Sequence, residues 1–189
     1  MKMTQTFFSN NNEQINCYIL YDRFSGNHDL KKFTKQLKTG LENSAKKINI
    51  LSKEACPGDR ESEIFQSNCR SIKNAKYILF VATNNPPSHL FSTEYKLALK
   101  AQLSGDTKIL PIPYNNSFEI KLPEELQNTN LKFMHYDNLE ELSSKILDFI
   151  NIPLDERTLE QPESAEEKDK KVKNLVNEIE AMLNTSFKH

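Results

Sequence analysis

Side chains that commonly do chemistry are few in this sequence, and they avoid the commonest patterns. Three cysteines, Cys17, Cys56 and Cys69, are odd in number and lack CxxC spacing, so they indicate neither a disulfide framework nor a zinc site. The histidines His28, His89, His135 and His189 form no HxH or HExxH pair, and no metal site is expected. No GxGxxG, GxxxxGKS or GxxxxGKT follows an apolar run, which removes ordinary dinucleotide oxidoreductases and P-loop NTPases. Asp22 follows the first apolar run, but the third ends in Ala82-Thr83-Asn84, so a paired-aspartate phosphoryl acceptor is not expected either. Three polar loops are left: Asp22-Arg23-Phe24-Ser25-Gly26, Cys56-Pro57-Gly58-Asp59 and the stretch from Thr83 to Ser88. Gly26 and Gly58, two of only four glycines, lie in two of them.

Alternating apolar runs and amphipathic stretches must position these loops. Ile15 to Tyr21, Lys47 to Leu51, Tyr77 to Ala82, Lys108 to Ile112 and Leu131 to Met134 read as five strands. Pro111 pushes the fourth toward an edge or a strand end. Between them, Leu30, Phe33, Leu37 and Leu41 recur at helical spacing behind Asp29 as N-cap. Ile64, Phe65, Asn68 and Ile72 mark a second helix whose first turn carries Glu61 and Glu63. A third runs from about Phe91 to Leu103, and Leu139, Leu142, Ile146, Phe149 and Ile150 mark the last. The expected fold is α/β: a flavodoxin-like, five-stranded parallel sheet of order 2-1-3-4-5 with helices on both faces. Ligands of such sheets bind outside the carboxyl ends of the strands, where the three loops would gather.

The 189 residues divide into a flexible leader (1–14), this domain (15–150), a linker (151–166) with Pro153 and Pro162, and an amphipathic C-terminal helix (167–185). Val172, Leu175, Val176, Ile179, Met182 and Leu183 give that helix a narrow apolar seam, fit for its own domain or for a partner helix. With 25 basic and 26 acidic residues the net charge is -1, which supplies no field for a nucleic-acid backbone or an anionic membrane. The amino terminus lacks the apolar core of a signal peptide and no stretch reaches the length of a membrane span, so a cytoplasmic protein is expected.

In order and spacing, three segments resemble the boxes of the Toll/interleukin-1 receptor (TIR) domain family. CYILYDRFSG is similar to its first box, with Leu20-Tyr21 where the family usually has a serine-tyrosine pair. EACPGDRESEI resembles its BB loop, which ends in Pro-Gly. SIKNAKYILFVATNNPPSHLFSTEYKLAL resembles its central strand, serine-bearing loop and glutamate-bearing helix, with Leu90 where the enzymes carry tryptophan. The third box is LKFMHYD, without the family's Phe-Trp pair. The resemblance implies a self-associating signalling protein that cleaves NAD at the nicotinamide–ribose bond, or alternatively a non-catalytic adaptor acting through homotypic TIR contacts in immune or stress signalling. NAD would be substrate, with no cofactor. In the enzymes one helix-borne glutamate is catalytic, and Glu94 matches it. Arg23, Phe24, Ser25 and Gly26 resemble the Arg-x-Ser-Gly loop that lines the nucleotide pocket in animal TIR hydrolases, and Ser88 matches the serine-bearing loop. Cys56, Pro57, Gly58 and Asp59 match the BB loop through which copies associate. One carboxylate suffices for this chemistry, because nicotinamide leaves as a neutral base and a negative charge need only stabilise the ribosyl cation.

Overall fold

Short apolar runs between polar loops become four parallel strands: β1 (Ile15–Leu20), β2 (Ile48–Ile50), β3 (Tyr77–Ala82) and β4 (Lys108–Pro113). The computed structural model describes residues 14–45, 47–51, 60–127, 131–151, 170, 172–177 and 179. The leader to residue 13, linker residues 152–166 and Cys56–Asp59 therefore lie outside the described residues. The sheet order is β2-β1-β3-β4. Cys17 pairs with Tyr77, and Tyr77 with Lys108, so the carboxyl ends of β1, β3 and β4 lie along one edge. β3 is buried along its whole length, as its unbroken apolar run requires in a sheet covered on both faces.

The expected fifth strand, Leu131 to Met134, does not form one. Its described contact with β4 is the Met134 N–H donating to the Pro111 carbonyl at 2.9 Å. The outer edge of β4 offers too few donors for a ladder. Ile109 N–H is taken by Gln102 Oε1 at 3.0 Å, while Pro111 and Pro113 have no N–H to give. The sheet thus keeps the expected order but ends at four strands among the described residues.

Helices α1 (His28–Ser44), α2 (Glu61–Asn74), α3 (His89–Leu103), α4 (Glu124–Gln127) and α5 (Leu139–Asn151) complete the domain, with a 3-10 turn at Tyr114–Asn116. Asn27, rather than Asp29, caps α1: its Oδ1 accepts from Leu30 N–H at 3.0 Å, leaving Asp29 in the first turn, where the helix dipole favours an acid. α3 ends in a Schellman turn, with Asp106 N–H on Ala101 O and Gly105 N–H on Gln102 O. Gly105 makes this turn at φ +82, which a side chain would strain.

Strand alternation divides the core. Cys17 and Ile19 of β1 face one way, with Leu79 and Ile112, against Leu30, Leu37 and Leu41 of α1 and Leu142 and Ile146 of α5. Tyr18 and Leu20 face the other way, with Ile78 and Phe80, against Ile72 of α2 and Phe91, Tyr95 and Leu99 of α3. Leu175 of the C-terminal segment belongs to this second layer, and both Leu175 and Ile179 are buried. At Leu175 the apolar seam is therefore turned onto the chain's own domain, while Met182 and Leu183 lie outside the described residues. Leu175→Ala should cost about 2 kcal/mol of unfolding free energy. Thermal melts should show the loss equally at dilute and concentrated protein, whereas a helix that paired with a partner would make it concentration-dependent.

Candidate active site

At the carboxyl end of β1 the chain turns sharply around Asp22. Its carboxylate Oδ1 accepts from Phe24 N–H at 3.2 Å and its carbonyl from Ser25 Oγ at 2.8 Å, while Gly26 relieves the turn at φ +72. The same carboxylate ties this loop to α3. Ser88 N–H donates to Asp22 Oδ2 and Ser88 Oγ to Asp22 Oδ1, each at 2.8 Å. Ser88 is also the N-cap of α3, its Oγ accepting from Phe91 N–H at 3.3 Å. Ser25 and Ser88 thus use their hydroxyls to hold the loop and the helix start together. Ser88→Ala should cost about 1–2 kcal/mol in a denaturant titration, since one change removes a cap and a tie to a carboxylate.

Arg23 turns inward from this loop. Its Nη2 donates to the hydroxyl of fully buried Tyr18 at 3.1 Å, and its guanidinium lies 5.0 Å over the Tyr21 ring. Its buried Nε has no hydrogen-bond partner. Phe24 beside it is half-buried, whereas Ser25 and Gly26 are exposed.

A helix starting near Phe91 would place Glu94 in its first turn. With α3 starting at His89 it falls in the second turn and is fully buried. Oε1 accepts from the Asn68 side-chain amide at 2.6 Å, and Oε2 has no partner. Burial pushes the Glu94 carboxyl up from 4.5 to about 7, the Asn68 hydrogen bond and the Arg23 charge pull it down, and Asp22 pushes it up again. An unpartnered buried carboxylate oxygen costs stability whether ionised or protonated, so its retention needs a reason beyond packing. Around it stand Tyr18 and Cys69, whose hydroxyl and thiol are also driven upward by burial, that of Cys69 to about 12. Burial therefore disfavours the thiolate form of Cys69.

Glu94 and Arg23 are thus brought into one electrostatic neighbourhood, with Phe24 on the same loop. Asn68, Tyr18 and the hub Asp22 are partners that sequence reasoning did not assign to the site. Asn68 did leave a signal: it stands on the apolar stripe of α2, where an amide must find a buried partner. Among the described residues no three His, Cys, Asp or Glu side chains cluster to hold a metal ion.

No family model matches this chain, and no curated protein matches it. Among solved structures it is similar to the CMP N-glycosidase BcmB of Clostridium botulinum, at 15% identity and a TM-score of 0.46, over 70% of this chain and 98% of that one. Among the described residues no helix is long and apolar enough to cross a membrane.

Proposed function

We propose that this chain is a TIR-like protein that cleaves NAD at the nicotinamide–ribose bond, with Glu94 as the catalytic carboxylate. The observation that carries this reading is the buried Glu94 carboxylate, fixed through Oε1 by Asn68 and left without a partner at Oε2. In the reaction the C–N bond breaks with its electron pair passing to the pyridinium nitrogen. Nicotinamide leaves neutral, and positive charge develops on the ribosyl carbon. The ionised Glu94 stabilises that charge in a site that burial keeps low in dielectric. Water then adds to the ribosyl carbon and loses its proton, to Glu94 or to solvent. Arg23 and Phe24 receive the nucleotide, and Ser25, Gly26 and Ser88 hold the loop that presents them.

Nicotinamide release from NAD by concentrated protein, without added metal, tests the reading. Protein that is demonstrably assembled yet inert toward NAD overturns it in favour of the second reading, a homotypic TIR adaptor. That alternative draws on a specific observation, the complete burial of Glu94 in the isolated chain. Both readings have copies meeting through Cys56–Asp59. Gly58→Pro should then weaken self-association in light scattering and leave the circular dichroism spectrum near normal, because the Pro57-Gly58 pair falls outside every strand and helix that the sequence predicts. Unchanged assembly would move the contact to another surface.

A further inference from the structure

A cavity of about 450 Å³ opens beyond the carboxyl end of β3, within the size range of small-molecule sites. Its floor is a cluster of three rings: Phe80 and Phe91 stack with centroids 5.8 Å apart, and Tyr95 stands edge-on to both at 6.4 and 6.0 Å. One wall is the end of β3 with the loop 83–87, stiffened by Pro86 and Pro87, and the other is the segment 119–124, stiffened by Pro123. Walls whose backbone is already restricted lose little freedom when a ligand enters. Glu94 is not among the lining residues, so this space is separate from the carboxylate assigned above.

The charges around the cavity are unequal. Asp22, Glu119 and Glu124 contribute three carboxylates, and Lys121 a single ammonium. Asp22 is hydrogen-bonded by Ser88 and the Phe24 backbone, donors that carry no charge of their own. An anionic ligand such as a nucleotide phosphate would meet net repulsion here, whereas a cation would be drawn in. Phe80, Phe91 and Tyr95 are buried and pack on one another, so a flat ring would meet mainly the proline-bearing walls, and positive charge on that ring matches the carboxylates.

We infer that this cavity binds a planar organic cation, a heteroaromatic ring carrying a fixed positive charge. The proposed binding does not rest on NAD cleavage, although Asp22 is shared with the loop that presents Arg23 and Phe24. Calorimetric titration of the full chain with N-methylquinolinium, neutral quinoline and quinoline-6-carboxylate separates charge from shape, since all three share one ring system. The cation should bind one per chain and roughly fivefold or more tighter than neutral quinoline, with the carboxylate weakest. Glu119→Gln with Glu124→Gln should bring the cation down to the affinity of quinoline, and Lys121→Gln should strengthen it. All three side chains are exposed, so the variants should fold normally. Failure of the cation to saturate at millimolar concentration would overturn the inference, as would equal binding of the carboxylate or indifference to the paired glutamate change.

Discussion

Glu94→Gln should lower nicotinamide release from NAD by roughly 100-fold or more, the usual scale for removing one preorganised group aimed at developing charge. Glutamine keeps the shape of the side chain and an oxygen that can still accept from Asn68, so the loss reads charge rather than packing. The wild-type rate should also depend on pH in a definite direction. The folded carboxyl titrates at about 7 and only its ionised form stabilises the ribosyl cation, so kcat/KM should climb through neutrality and level off above it. Asn68→Ala removes a hydrogen bond that favours the ionised form and should move that climb to higher pH. Equal rates for wild type and Glu94→Gln would take the chemistry away from this residue.

The same carboxyl should leave a mark on stability without any substrate. Its folded-state value of about 7 lies above the ordinary 4.5, so the folded protein holds this proton where the unfolded chain releases it. Its contribution is fully present below about pH 4.5 and is lost as pH rises through about 7. Converted through the linkage relation, the loss is on the order of 3 kcal/mol. Glu94→Gln has no proton to lose, so the difference between the two proteins in urea titrations should grow from pH 4 to pH 8, the variant becoming the more stable. A parallel pair of curves would mean that Glu94 is solvated in solution. Together the two expectations describe an acid whose reactive form is its destabilised form: the site functions at the pH where burial penalises it most. Positive charge developing on the ribosyl carbon beside Oε2 would relieve that penalty in the proposed reaction.

Local sequence determined the alternation of strands and helices, because strand and helix periodicities of 2 and 3.6 are read within a few residues. Tyr77 to Ala82 is a strand with the expected bounds, and α3 ends at Leu103 as its pattern required. Pro111 pointed β4 toward an edge or a strand end while a fifth strand was still expected beyond it, and β4 is the last strand of the described sheet. Whether another strand would pair outside it depended on side partners as well: the edge closed because Gln102 takes the Ile109 donor and two prolines supply none. Glu94 could be matched by register alone, but its state could not. Its burial and its bond to Asn68, 26 residues away, exist only once α2 and α3 pack together. The inward turn of Arg23 onto Tyr18 and the docking of Leu175 are of the same kind. Periodicity names the face that a side chain occupies; the atom it meets there, and hence its charge at neutral pH, is decided by what the fold brings against that face.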